Sequence, residues 1–466
     1  MSTTRTTTRA ARTAASATPA ADGPQAPLRI TVLGTGYLGA THAVAMAELG
    51  FDVVGVDTDQ HKVDALAAGK VPFFEPGLPE LLEKNLATGR LRFTTDVASA
   101  VAGADVHFVC VGTPQQRTSH AADLRFVEAA TTAIARHLTT DAVVVGKSTV
   151  PVGTAARLRG LVAQEAPAGL DVELVWNPEF LREGKAVQDT LHPDRIVLGG
   201  VSPRAEAVLR RVYAQPIAEG SPVVVTDLPT AELVKVSANA FLATKISFVN
   251  AIAGVCEAAG ADVTVLADAL GHDVRIGRQF LDAGLGFGGG CLPKDIRALM
   301  HRAGELGAHR ASALLQQVDE INMGQRERVV DLATAACGGS VLNKRIGVLG
   351  AAFKPLTDDV RDSPALNVAA ALHLRGAQVT VYDPEAGDTA RRSFPTLGYG
   401  TSVEEAVEEA DVVLVLTEWD EFVGADPARL AGLARTPHVI DARGKLPAAA
   451  WREAGWEFTG LGRLAA

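Results

Sequence analysis

Short apolar runs ending in glycine, proline or polar residues fill the first half of this chain, and near residue 226 they give way to one long helical pattern. The first unit is "LRITVLGTGYLGATHAVAMAELGFDVVGVDTD". Its apolar run at 28–33 predicts a buried strand, the glycines a tight turn, the next stretch a helix, and a second apolar run ends at Asp57. "ADVHFVCVGTP", "AVVVGKSTV" and "DVELVWNPEF" predict further strands with helices between them. Each ends in polar or Pro/Gly residues, where ligands meet an open parallel sheet. This predicts a first domain over residues 27–225.

The stretch "DLPTAELVKVSANAFLATKISFVNAIAGVCEAAG" predicts a long helix, with Pro229 in its first turn and Gly260 at its end. Leu233, Val234, Val236, Phe241, Leu242, Ile246, Phe248, Val249 and Ile252 cover most of its circumference, which predicts burial between domains or subunits. Helices continue to about residue 336, making a central region over 226–336. "NKRIGVLGAAFKP" restarts a strand, "ALHLRGAQVTVYDP" repeats the run-to-Asp logic, and "ADVVLVLTEWDEF" and "HVIDARG" add two more strands. The expected fold is α/β: two Rossmann-like domains with parallel sheets, the second over 340–466, joined by a long central helix and a helical dimerisation region.

The glycine turns separate the two sheets in function. Gly34, Gly36 and Gly39 form GxGxxG inside a complete βαβ unit, with Asp57 about twenty residues on. Gly34 permits the turn, Gly36 lets backbone approach a pyrophosphate, and Gly39 lets helix pack on strand. Asp57 is placed to bind the ribose hydroxyls of NAD and to repel the 2′-phosphate of NADP. The third domain has Gly350 followed by Ala351, Ala352 and Phe353, so it need not bind NAD.

Composition narrows the class. Apolar residues make up 47% and charged residues 21%, as in a packed soluble globule of two or three domains. A formal net charge of -10 argues against nucleic acid as partner. No run approaches the ~20 apolar residues of a membrane span. Cys110, Cys256, Cys291 and Cys337 show no CxxC spacing, so neither a zinc site nor a disulfide framework is expected, and a reducing cytoplasm fits. Residues 1–26 are rich in Thr, Ala and Arg with no acid before Asp22, which suits a disordered tail or, as an alternative, a transit peptide.

One cysteine differs from the rest. "GLGFGGGCLPKD" puts five glycines in the seven residues before Cys291 and a predicted helix start after it. A thiol at a helix N-terminus beside Lys294 is expected to have a lowered pKa, and the glycines to clear space around its sulfur. Cys110 and Cys256, inside apolar runs, read as inert core. Lys235 and Asn239 share one face of the long helix and could donate to a developing oxyanion, or Lys235 could lie at a solvated edge. Glu179 and Glu183 follow a strand end, as general bases, as binders of water or sugar hydroxyls, or as solvated acids. Lys147, Ser148 and Thr149 end another strand, as site residues or as a capped turn. NAD with an activated cysteine and no metal-ligand cluster suggests oxidation of an alcohol through a thiohemiacetal and a thioester.

These motifs together resemble the nucleotide-sugar 6-dehydrogenase family, over residues of about 28–461. The stretches that carry the likeness are "GTGYLG", "FFEPGL", "CVGTPQ", "KSTVPVGT", "NPEFLREGKA", "HPDRIVLG", "ELVKVSANAFLATKISFVN", "GFGGGCLPKD", "FKPLTDDVRDSPAL" and "IDARG". The resemblance implies a cytoplasmic homodimer that carries out a four-electron, NAD-dependent oxidation of UDP-glucose to UDP-glucuronate. The alternatives are the same chemistry on UDP-N-acetylmannosamine, UDP-N-acetylglucosamine or GDP-mannose, and a catalytically silent sensor of NAD or a UDP-sugar.

Carried over by residue, the resemblance implies Cys291 as nucleophile, and Lys235 and Asn239 as oxyanion donors. Asp295 and Thr149 become acid/base and water-holding groups, and Glu179 and Glu183 serve hydrolysis and binding. For NAD it implies Gly34, Gly36, Leu38, Gly39, Asp57, Lys62, Thr113, Thr149, Glu183, Lys294 and Arg361. For the UDP-sugar it implies Glu179, Phe180, Leu181, Arg182, Glu183, Lys235, Asn239, Phe280, Leu281, Asp282, Ala283, Gly284, Gly288, Phe353, Lys354 and Arg443. Arg275 would reach a partner subunit's substrate. Gly290 stands where relatives more often have Ser, which would free backbone and remove a hydroxyl donor.

Overall fold

A computed structural model of the protein describes residues 28–462. The tail expected at 1–26 lies outside the described residues.

Two sheets organise the chain. The first follows the order β3 (Leu91–Thr94), β2 (Asp52–Val56), β1 (Arg29–Leu33), β4 (Val106–Val109), β5 (Ala142–Gly146), β6 (Val172–Trp176), β7 (Ile196–Gly199), β8 (Val223–Thr226). Strands β1, β2, β4, β5 and β7 are buried nearly throughout, as in a parallel sheet covered on both faces, whereas Val224 and Val225 of the edge strand β8 are exposed. From β3 to β6 all pairings are parallel. A single antiparallel bridge, Trp176 to Gly199, attaches β7 and β8, which are parallel to each other. The second sheet is parallel throughout, in the order β11 (Gly398–Tyr399), β10 (Gln378–Tyr382), β9 (Arg345–Leu349), β12 (Val412–Val415), β13 (His438–Asp441), β14 (Glu457–Gly460). In each sheet the strand order reverses beside its first strand, and the crevice there opens at the carboxyl ends of the strands.

Between the sheets run three long helices. The central helix, Leu228–Ala259, starts at an Asp227 side-chain cap with a proline in its first turn, and ends at Gly260 with φ 75°. Glycine is needed there, since that left-handed conformation lets the cap close without a Cβ clash. The cysteine helix, Leu292–Glu305, and the bracing helix, His309–Ala336, pack against it. Contrary to the sequence expectation, the central helix is long and apolar enough to cross a membrane by length and composition. It lies inside the fold, however, with Glu232, Lys235 and Asn239 all buried and paired. It is also not apolar-buried all round: Phe241, Phe248 and Val255 are 67%, 50% and 60% exposed.

The glycine-rich segment 284–290 is the seam between the central region and the third domain. Asn322 of the bracing helix accepts from the Phe287 amide at 2.8 Å and donates to its carbonyl at 3.0 Å, holding the segment as a neighbouring strand would. Asn250 of the central helix accepts from Gly284 N at 2.8 Å. Arg326 ties the same segment to the third domain, bonding Phe287 O at 3.3 Å and Asp362 at 2.8 Å.

Candidate active site

The carboxyl ends of β1, β4, β5 and β6 place Gly34, Thr113, Thr149 and Glu179 along one edge of the first sheet. The three glycines of the first turn have separable roles. Gly34 has φ +88°, and a Cβ there would press on Val111; a Cβ on Gly39 would collide with the Gly34 carbonyl. A Cβ on Gly36 would meet nothing within 4 Å, and φ there is −69°. Packing therefore demands glycine at Gly34 and Gly39, whereas the backbone at Gly36 stands open to close approach. Gly36 also begins the first helix, Tyr37–Glu48, without a side-chain cap, so amides at its N-terminus are left for an anion. Asp57 accepts from Thr35 N at 2.8 Å and from Asp59 N at 3.0 Å, which fixes its carboxylate at the end of β2. These residues fit a dinucleotide. Gly36→Ala is expected to leave the melting temperature unchanged to within about 2 °C and to raise KM for NAD roughly tenfold. Equal KM values in variant and parent would dismiss that role.

The corresponding loop of the third domain is closed to such use. Its Ala351 and Ala352 amides donate to Asp383 at 2.7 and 2.9 Å, so the donors that would meet phosphates are already taken.

A cavity of about 400 Å³ lies where the first domain, the glycine segment and the third domain meet. It is lined by Lys235 and Asn239 from the central helix, by Cys291, and by Phe353, Lys354 and Arg443 from the third domain. Lys235 is 5% exposed and pairs with Glu179 at 3.0 Å. Burial by itself would lower its pKa, but Glu179, Cys291 and Asp295 outweigh that and hold the ammonium above its ordinary value. Asn239 donates to Asp295 Oδ2 at 2.8 Å, and Lys294 donates to Asp295 Oδ1 at 2.6 Å. Asp295 is thus a buried carboxylate held from both sides. Lys235 still has two N–H donors to offer.

Cys291 caps the cysteine helix, with Pro293 in the first turn as expected. The expected lowering of its thiol pKa is not found. Burial pushes the thiol up to about 12, and Glu179 and Asp295 add to this against Lys235 and Lys294. The helix terminus is outweighed because the half-buried sulfur loses much of its hydration and faces two carboxylates. The expectation about the glycines is also corrected. A Cβ on Gly284 would press on Ala442 O, on Gly288 against Asp362 O, on Gly289 against the Phe353 ring and on Gly290 against the Arg361 guanidinium. The side chains are absent so that the third domain can close on the segment, which in turn builds the cavity wall. At Gly290 a Ser would have to displace Arg361.

Glu183 is enclosed by the third domain. Thr357 Oγ1 donates to it at 3.1 Å, Arg361 at 3.3 Å, and Lys354 donates to its carbonyl. Burial, with Asp359 nearby, pushes its carboxyl up to about 7 against the pull of Arg361, Thr357 and Lys354. Thr113 Oγ1 donates to Thr149 O at 2.8 Å, and both line a second recess together with Lys294 and Asp295. That recess and the main cavity share Asp295's neighbourhood, so a ligand in each would converge beside Cys291.

Other predicted residues fall into place unevenly. Leu181, Arg182, Phe280, Asp282, Ala283, Gly284 and Gly288 line the main cavity. Leu281 does not; it is 2% exposed and packs in an apolar cluster under the central helix. Glu179 and Phe180 line a smaller cavity behind the main one, together with Leu38. Arg275 is exposed, pairs with Asp273 at 2.5 Å and is not in the cavity wall. Lys62 lies on the surface at 4.0 Å from Asp59. The sequence reading missed Asn250, Asn322, Glu418 and Lys445. The last two line the cavity, and the two buried asparagines stand on otherwise periodic helices, the one signal that could have found them. Among the described residues, no three His, Cys, Asp or Glu side chains are grouped to hold a metal.

Comparison with known proteins matches three successive domain models. They are the NAD binding domain of the UDP-glucose/GDP-mannose dehydrogenase family at residues 28–217, its central domain at 229–324 and its UDP binding domain at 347–448. The chain belongs to the UDP-glucose/GDP-mannose dehydrogenase family. It is an NAD-dependent oxidoreductase. The chain is 44% identical over 439 residues to the UDP-glucose 6-dehydrogenase of Rhizobium meliloti (strain 1021), covering 94% of this chain and all of that one. The solved UDP-glucose dehydrogenase of Pyrobaculum islandicum superimposes with a TM-score of 0.87 at 38% identity, covering 95% of this chain and 99% of that one. A UDP-D-ManNAc dehydrogenase from Pyrococcus horikoshii gives a TM-score of 0.82 at 27% identity, covering 94% and 99%. The expected fold class and cofactor are borne out by these matches.

Proposed function

We propose that this member of the family oxidises UDP-glucose to UDP-glucuronate through a covalent Cys291 adduct. One observation carries the proposal: Cys291 opens into a cavity of about 400 Å³ that it shares with Lys235, Asn239 and the third domain's Phe353, Lys354 and Arg443. The 44% identity to a UDP-glucose 6-dehydrogenase supports the sugar.

The turn at Gly34 and Gly36, with Asp57, would hold NAD, which would supply the hydride acceptor for each of the two oxidations at the sugar's C6. The chain's own groups do the rest. Lys235 and Asn239 donate to the C6 oxygen as it gains charge, in a pocket walled from water by the third domain. The first oxidation leaves an aldehyde and releases a proton. Cys291 then adds through sulfur, its proton passing to the carbonyl oxygen, so a resting thiol rather than a thiolate suffices. The thiohemiacetal loses its hydride and a proton to become a thioester, and water displaces the sulfur to give the acid. Asp295, fixed by Asn239 and Lys294 and lining the adjoining recess, would hold the attacking water. Arg443, aimed by the turn that Asp441 caps, bonds Gly286 O at 3.0 Å and Phe353 O at 3.2 Å and so holds the third domain against the cavity.

The exposed row of Phe241, Phe248 and Val255, seven residues apart on the central helix, suits a homodimer interface. Four unpaired cysteines suit a cytoplasmic enzyme.

The test is the NADH formed per UDP-glucose, with sugar limiting and NAD in excess. Two are expected. One would mean that oxidation stops at the aldehyde. None would shift the substrate to another nucleotide sugar, and the likeness to the UDP-D-ManNAc dehydrogenase makes that the next compound to try.

A further inference from the structure

Behind the wall that carries Glu179 lies the smaller cavity, of about 50 Å³, room for about three waters. It extends from Glu179 to Asp194, which is exposed at the surface. Its inner wall is a polar cluster that the chemistry above leaves unused. Lys147, just after β5, is 7% exposed. It donates to Asn177 Oδ1 at 3.1 Å and to the Tyr213 hydroxyl at 3.3 Å, and Tyr213 donates to the same Asn177 oxygen at 2.5 Å. Both of these partners of the ammonium are neutral, an expensive arrangement for a buried cation. His42 also lines this cavity; it is 1% exposed, and its Nε2 has no hydrogen-bond partner. A buried ammonium and an unpartnered ring nitrogen facing one small space are what a short chain of water would satisfy. Burial pushes Lys147 down to about 8, so it can both release and take up a proton near neutrality.

Glu179 stands between the two spaces. One oxygen pairs with Lys235 of the main cavity, and the residue itself lines the smaller one. In the proposed reaction, hydrolysis of the thioester consumes a water and releases a proton as the acid ionises. With a sugar nucleotide in the main cavity and the cofactor reaching the Thr113–Thr149 recess, a carbon covered by both would need a separate link to solvent.

We propose that the cavity behind Glu179, with Lys147 and Tyr213, is the proton outlet and water supply of the active site, running from the Lys235–Glu179 pair to the surface at Asp194. This rests on the Cys291 thioester proposed above. In hydrolysis, the water oxygen bonds to the thioester carbon and the carbon–sulfur bond breaks. One water proton returns to the sulfur, and the other leaves as the acid ionises, through Glu179 to the cavity water and Lys147. No electrons are transferred in this step.

The test uses the full-length enzyme with Lys147→Met and Tyr213→Phe, and with Thr190→Leu, which narrows the cavity without touching Lys147. In rapid mixing, the first NADH per site is expected to form within about twofold of the parent rate, while steady turnover falls about tenfold or more. Acid-quenched protein should carry more Cys291-linked uronyl adduct by mass, the solvent deuterium effect should rise, and KM for both substrates should stay within about threefold. Folded variants that turn over at the parent rate without extra adduct would overturn the proposal. So would equal slowing of both phases, which a merely structural role produces. If the parent enzyme itself forms neither adduct nor a second NADH, it is the thioester reading that fails.

Discussion

Cys291→Ala is expected to abolish formation of the acid, by a factor on the order of 10⁴ or more, while UDP-glucose still binds with Kd changed by no more than about threefold. The size follows from what sulfur does. An aldehyde has no leaving hydride until a nucleophile makes its carbon tetrahedral, and no other thiol lines the cavity. Binding should survive because the cavity is built mainly by other groups, among them Phe353, Lys354 and Arg443 from a different domain. Calorimetric titration with UDP-glucose and chromatographic detection of UDP-glucuronate separate the two effects. Near-normal acid production by the variant would exclude the covalent route. Alanine also removes a half-buried thiol that resists ionisation, so no loss of stability is expected from its charge.

Lys235→Met should combine two losses that can be told apart. Lys235 and Glu179 are both nearly buried, with side-chain exposures of 6% and 10%. Removing one partner leaves a carboxylate without its cation, a change that costs about 3–5 kcal/mol in buried pairs. Activity should fall roughly 10³-fold, since the proposed oxyanion donor is gone. Adding Glu179→Gln to Lys235→Met should recover much of the stability and none of the rate. Denaturant unfolding and turnover measured on the three variants decide this. A double variant that regained activity would remove Lys235 from the chemistry.

The βαβ units were legible because their signals are local. A run of apolar residues, a glycine turn and a closing acid lie within some thirty residues, and packing requires glycine at Gly34 and Gly39 as their positions predict, while Gly36 stands open. Cys291, Lys235, Asn239 and Asp295 were also legible as candidates, two of them as neighbours on one helix face. Their environment was not. A helix N-terminus and an adjacent lysine argue for a low thiol pKa, but enclosure by the third domain and by Glu179 and Asp295 reverses the sign. The glycines beside Cys291 advertised empty space, yet that space is filled by residues some seventy to one hundred and fifty positions downstream, Phe353, Arg361, Asp362 and Ala442. Leu281 and Arg275 show the same gap. Both sit in the right loop, but one side chain turns into an apolar cluster and the other into solvent.

By itself, then, the sequence determined the two sheets, the dinucleotide turn, the long helix between them and most of the candidate side chains for chemistry. Each of these depends on periodicity, backbone conformation or residue type within one stretch of chain. The tertiary structure alone decided the ionisation of Cys291, Glu183 and Lys147, the enclosure of the main cavity and the smaller one behind Glu179. Those follow from desolvation and from charges brought together across domains, and both act through space, where separation along the chain has no bearing.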